Sequence, residues 1–289
     1  MIYHSIKEIY DFSEKEHIPM WQVIMEKDME ERMVTREESF EMMRGMYRAM
    51  KEAIADYEKD LRSESGMAGG DGEKLHVYNK SGKNIMGEFS GLVMEMAIKT
   101  AESNACMKRI VAAPTAGSCG VIPAVFCAYE TLYPIEEDRM VEALFVCAGI
   151  GEVIAENASI AGAAGGCQAE IGSASAMAAA GLAYLQGGDN DAIVHAMTLA
   201  MKNMLGLACD PVCGLVEVPC IKRNVSGAMN AVSSAQLALA GIRSAIPADE
   251  VIDAMRRIGN DMPRCLKETS EGGLATCPTA KEIQIRLSR

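Results

Sequence analysis

From residue 84 to residue 245 the chain is built mainly of Ala, Gly, Met and Cys, with few charges. No other feature constrains the fold as much. Ala and Met favour helices, whereas the aromatic residues that favour strands make up only 5% of the chain. Small side chains let helix backbones approach closely, and a helix that is apolar on every side belongs inside a bundle of others. The expected fold is therefore all-α, a body of Ala/Gly/Met-rich helices packed against one another. Helices are expected over 138–150, 173–185, 192–205 and 227–244. Pro247 opens a further one, with Val251, Met255 and Ile258 on one stripe and Gly259 at its end.

The N-terminal third is different, being charged and amphipathic. Ser13-x-x-Glu16 and Thr35-x-x-Glu38 both have the spacing of a capping box. After the second, Phe40, Met43, Tyr47, Met50, Ile54 and Tyr57 recur at alternating three- and four-residue steps, one stripe of a long helix expected to end near Leu61. The Gly/Ser-rich run SESGMAGGDGEK follows and reads as a linker or mobile loop. The expected organisation is an N-terminal helical segment over 1–62, a linker or loop over 63–75, and a larger helical domain over 76–289.

Charge and cysteine usage narrow the function. With 28 Lys and Arg against 40 Asp and Glu, the net charge of −12 argues against nucleic acid as a partner. The uncharged runs 110–129 and 171–188 are interrupted by Pro and Gly or dominated by Ala, Gly and Ser, so they read as buried packing rather than membrane spans. The first residues are charged from Lys7 onward, unlike a signal peptide, and a cytoplasmic location is expected. There the ten cysteines would stay reduced. Cys106, Cys127 and Cys147 lie in apolar helical patterns and read as small buried hydrophobes.

Six of the other seven cysteines fall in Gly-containing interruptions of the helical body: AAPTAGSCGVIPA, GAAGGCQAEIGSAS, GLACDPVCGLVEVPCIKRN and ETSEGGLATCP. No Cys-x-x-Cys pair announces a zinc site, and ferredoxin spacings are absent. Cys167, Cys209, Cys213 and Cys220 leave packing and metal binding both open by spacing alone. Their place beside Gly and Pro, where a packing thiol has no reason to be, favours metal. PTAGSCG before an apolar helix is either a capping turn or a cradle in which Thr115, Gly117 and Ser118 meet a carboxylate or phosphate. His195, inside AIVHAMTLAM, reads as structural. No lysine context suggests a pyridoxal Schiff base, so no PLP is expected, and no nucleophile elbow is present.

The segments GCQAEIGSASAMAAAGL and GLACDPVCGLVEVPCIKRN, with PTAGSCGVIPA and KETSEGGLA, resemble the iron–sulfur-dependent L-serine dehydratases of bacteria, specifically the alpha chain of the two-chain form. The resemblance runs from about residue 84 to 277 and makes the larger domain the catalytic one. It implies a [4Fe–4S] cluster held by Cys167, Cys209 and Cys220, with one iron open to act as a Lewis acid on the hydroxyl of L-serine. Cys213 stands where relatives often have glycine and is not implied as a ligand. Cys277 lies near the position of a C-terminal cysteine tail in single-chain relatives, at a different offset from GGLA. The implied reaction is dehydration and deamination of L-serine to pyruvate and ammonia, with Thr115, Gly117 and Ser118 at the substrate carboxylate. The resemblance also implies a beta subunit and an oligomeric assembly, and it names no proton-accepting base. A cysteine desulfidase with a similar catalytic domain and a non-catalytic, thiol-rich helical subunit are the alternatives.

Overall fold

The structure is a computed structural model and describes residues 2–288. Its first three helices are bounded by local chemistry. Helix α1 (Ile6–Glu16) is capped by Ser5, whose hydroxyl accepts the Glu8 amide at 3.1 Å, and it is turned by His17 in the left-handed region. Ser13, expected as a cap, instead lies inside α1 and donates its hydroxyl to the Ile18 carbonyl. Helix α2 (Met20–Arg32) stops at Met33, also left-handed. Helix α3 (Arg36–Ala55) opens with the expected capping box of Thr35 and Glu38. It ends before Leu61 because the chain is pulled away there. The Lys108 ammonium binds the Asp56 carbonyl, and the Tyr57 hydroxyl donates to the Glu102 carboxylate at 2.7 Å.

The Gly/Ser-rich segment runs as turns to Gly70 and is fastened by two buried carboxylates. Glu102 accepts the amides of Gly69, Asp71 and Gly72, while Glu217 accepts the hydroxyls of Ser63 and Ser65. Helix α4 (Asp71–Lys80) starts within the expected linker and packs antiparallel on α5 (Gly87–Ala105). Next come α6 (Val121–Leu132), α7 (Glu137–Asn157), the single turn α8 (Gly162–Gly165), α9 (Ser173–Leu185), α10 (Asn190–Met204), α11 (Cys220–Leu239), α12 (Ala248–Asp261) and α13 (Pro278–Leu287). No strand occurs among the described residues, only an isolated bridge between Cys209 and Lys267.

Helix α9 is the axis of the body. All 13 of its residues are buried, and it packs against α6, α7, α10 and α11. An apolar, mostly small-residue surface all round suits that central place. The N-terminal helices add to the same core rather than forming their own. Trp21 on α2 meets Phe40 on α3, which stacks on Phe145 of α7 at 6.1 Å. Tyr3, Ile9, Met25 and Tyr47 belong to one buried cluster with Phe126, Ile150 and Leu182. Among the described residues no helix is long and apolar enough to cross a membrane.

Candidate metal and substrate site

At one end of α9 the backbone departs from regular helix. Cys167 follows Gly166 and opens a π-helical turn, Gln168–Gly172, that runs straight into α9. The segment 162–175, expected as a loop, is thus mostly helical, and its extra residue per turn is the kind of irregularity that re-aims side chains at functional sites. Gln168 ties this turn to its neighbours. Its amide donates to the Leu207 carbonyl at 3.0 Å, its Oε1 accepts the Gly206 amide at 2.9 Å, and its Nε2 donates to the Met255 carbonyl at 3.0 Å. The chain leaving Gly206 therefore passes Cys167 and delivers Cys209 beside it. Cys209 is fixed on its other side by the C-terminal segment, with its amide on the Leu266 carbonyl at 2.8 Å and its carbonyl accepting the Glu268 amide at 2.7 Å.

Cys220 is the first residue of α11 and is buried. One turn later Asn224 fastens this helix end to the 115–120 segment. Its Nδ2 donates to the carbonyls of Cys220 and Gly117, at 3.0 and 2.7 Å, and its Oδ1 accepts the Gly120 amide at 2.9 Å. So three helix ends and the Cys209 loop converge. The sulfurs of Cys167 and Cys209 and a carboxylate oxygen of Glu170 lie within 4.8 Å of one another. Cys220 stands outside this trio, yet close enough for the charge of Cys167 to act on it.

The electrostatics are asymmetric. Hydrogen bonding from Cys209 holds the Cys167 thiol below its ordinary range, helped by Arg223, whose Nη1 donates to Cys167 Sγ at 3.3 Å. The same bond to Cys167, together with burial, pushes Cys209 up. Burial pushes the Cys220 thiol up to about 12. Buried thiols of this kind keep their protons until a cation replaces them. Arg223 also donates to the Ala208 carbonyl and to Asp210 Oδ1, each at 2.8 Å, and Asp210 Oδ2 accepts the Leu274 amide at 2.8 Å. Burial raises the Glu170 carboxyl, and the nearby charge of Glu268 adds to that, while the Thr115 hydroxyl opposes it.

Thr115, Gly117 and Ser118 form a 3₁₀ turn against this group. Thr115 Oγ1 donates to Glu170 Oε1 at 2.5 Å and lies 3.0 Å from the Ser118 hydroxyl, which is fully buried. A Cβ on Gly117 would come within 2.5 Å of Glu170 Oε1, so only glycine lets the two segments meet. Glu170 is the residue that sequence reasoning passed over. Its signal is modest: an acid one helical turn beyond Cys167, in GCQAE.

Of the remaining cysteines, Cys119 is buried next to Ser118 in the chain and close enough for the Glu170 charge to act on it, while the others stand outside the sulfur group. Cys213 is half-buried in the Val212–Gly214 turn, and Cys277 is exposed. Cys127 and Cys147 are buried in helices, and Cys106 is half-buried at the end of α5. The His195 ring nitrogen Nδ1 accepts the Ser244 amide at 3.2 Å, a structural bond. A cleft of about 630 Å³ between α4, α5 and the end of α6 lies away from the thiols. Its Glu95 carboxylate is satisfied by Lys99, His76 and Asn79.

The donor set fits a thiophilic metal centre. Cys167 and Cys209, with Glu170, are close enough to share a metal ion, and Cys220 adds a third buried free thiol beside them, the soft donors that thiophilic metals and iron–sulfur clusters take. Gly162 keeps the approach to Cys209 clear, because a Cβ there would sit 2.9 Å from the sulfur.

A family model described as the serine dehydratase alpha chain matches residues 15–275. The chain is 45% identical over 287 residues to the probable L-serine dehydratase, alpha chain, of Bacillus subtilis (strain 168), covering 99% of this chain and 95% of that one. It is 41% identical over 282 residues to the L-serine dehydratase, alpha chain, of Peptoniphilus asaccharolyticus, covering 97% of each. It also matches the L-serine dehydratase of Streptomyces coelicolor, at 39% identity over 242 residues, which is 81% of this chain and 53% of that longer one. Matches of this length and identity, together with the helical body on which the quoted segments lie, settle the classification: the chain belongs to the serine dehydratase alpha chain family.

Proposed function

We propose that the chain is the catalytic subunit of an L-serine ammonia-lyase and that Cys167, Cys209 and Cys220 hold a [4Fe–4S] cluster. The observation that carries this reading is the meeting of the Cys167 and Cys209 sulfurs with Glu170, which the Thr115 hydroxyl binds, at a place where the Arg223 guanidinium is directed at Cys167. Its relatives bear the name L-serine dehydratase. When bound, such a cluster supplies an iron without a protein thiolate, a Lewis acid that stabilises departing hydroxide.

The chain's own groups do the rest. Arg223 sets its positive charge beside the Cys167 sulfur and couples it to Asp210 and the C-terminal segment. The Thr115–Ser118 turn and Glu170 form a polar wall for the substrate beside an otherwise apolar interior. Removal of the Cα proton and the β-hydroxyl from L-serine yields water and 2-aminoacrylate, whose imine tautomer takes up water to give pyruvate and ammonia. The names of two relatives matched over nearly their full length speak of an alpha chain, and the Streptomyces relative is about twice as long as its match here. A beta chain completing the assembly follows on this reading, in a reducing cytoplasm that keeps the thiols free.

The test is an anaerobic assay of the chain co-expressed with its partner, offering L-serine, L-threonine and L-cysteine separately. Pyruvate from L-serine as the fastest product supports the reading. Sulfide from L-cysteine outpacing it, or no turnover from a cluster-loaded protein, overturns it.

A further inference from the structure

The charges around Glu170 do not balance. Its carboxylate lies within 4.8 Å of the Cys167 and Cys209 sulfurs, and the negative charge of Glu268 acts on both Glu170 and Cys209. Among the described residues no lysine, arginine or histidine pairs with it. The guanidinium in the site is committed to Cys167, Ala208 and Asp210. Glu170 Oε1 takes the Thr115 hydroxyl, and Oε2 receives no protein donor. A half-buried carboxylate facing another acid is stabilised by a proton or by a cation, and a substrate ammonium supplies the second. Yet the fold makes room for it, since Gly117 leaves its Cβ position to the Glu170 carboxylate.

We infer that Glu170, held by Thr115 and Gly117, is the docking group for the α-ammonium of the amino-acid substrate. The inference rests on the proposed lyase function and adds the pole by which the substrate is oriented. An ammonium donates charge-assisted hydrogen bonds to a carboxylate. A substrate carboxylate set against Glu170 would be repelled, so the Thr115–Ser118 turn serves the amino end of the molecule and the carboxylate is bound elsewhere. Glu170 is thus a specificity residue, selecting 2-amino acids over the isosteric 2-hydroxy acids. It needs no proton transfer for this role.

The test uses Glu170→Gln and Glu170→Asp in the anaerobically purified assembly. Iron and sulfide content reports the cluster, and the electron paramagnetic resonance spectrum of the dithionite-reduced cluster, titrated with L-serine and with glycerate, reports binding. The expected result is full cluster content in both variants. L-serine should bind roughly 10- to 100-fold more weakly to Glu170→Gln, the span of one charge-assisted hydrogen bond, with glycerate almost unaffected. Glu170→Asp should recover part of the loss. Should Glu170→Gln fail to fold, Thr115→Val provides the same comparison with a smaller loss of the same sign. Unchanged discrimination between serine and glycerate overturns the inference, as does loss of iron from Glu170→Gln, which would make Glu170 a metal ligand. A wild-type protein with neither cluster nor serine turnover defeats the proposed function itself, a result distinct from either of these.

Discussion

Arg223, the fourth residue of α11, reaches a sulfur, a backbone carbonyl and a buried acid. Asp210, with 8% of its side chain exposed, depends on it for charge. Arg223→Met should therefore destabilise the protein by about 3–5 kcal/mol, because removing one partner of a buried pair strands the other. Arg223→Lys should recover part of this, since an ammonium cannot reproduce the fork that spans Cys167 and Asp210. Chemical denaturation of the three proteins measures both effects. At Cys213 the opposite holds. It is half-buried and outside the sulfur group, so Cys213→Ala should leave iron and sulfide content unchanged. Thr115, Gly117 and the cysteines could be picked out in the sequence because unusual residues sat in unusual neighbourhoods. Glu170 could not, since an acid near a helix start is ordinary and its importance arises only when the 115–118 turn folds against it.

The helices were legible where periodicity and composition agreed. Segment 173–185 is helical over just the expected span, and α7, α10 and α11 occupy the expected regions with ends moved by several residues. What composition hides is long-range polar capture. Nothing local says that SESGMAGG will be ordered, because its order comes from Glu102 and Glu217, distant acids buried beneath it. Glu102→Gln should weaken the protein by about 2–4 kcal/mol and make the 61–72 segment the first site of limited proteolysis, since it takes charge from a group accepting four donors. The α4–α5 pair has a similar anchor in Glu95, with 6% of its side chain exposed. Burial works against its charge, but the Lys99 ammonium, with His76 and Asn79, holds its carboxyl below the usual range. The stability from this group is fully present above about pH 4.5 and is lost as pH falls through the lower folded value. Glu95→Gln should lower stability at neutral pH and flatten its fall below pH 4.5 in urea titrations across pH.

Across the whole molecule, one core unites the N-terminal helices with the Ala-rich body, so Trp21, Phe40 and Phe145 are neighbours although 124 positions separate the first from the last. The all-α class could be read from composition, but that shared core could not, because it depends on which apolar stripes find each other. The site depends on the same assembly: Cys167 is placed by the irregular entry to α9, Cys220 by the start of α11, and Cys209 by the chain between α10 and the C-terminal segment. On this account the three sulfurs act as a unit that only the complete fold creates. An iron and acid-labile sulfide count on anaerobically purified wild type, Cys209→Ser, Cys220→Ala and Cys213→Ala examines this directly. The account predicts about four iron and four sulfide per chain in wild type and Cys213→Ala, and little of either in the other two. Equal metal content in all four proteins, or none in the wild type after anaerobic reconstitution, would contradict it.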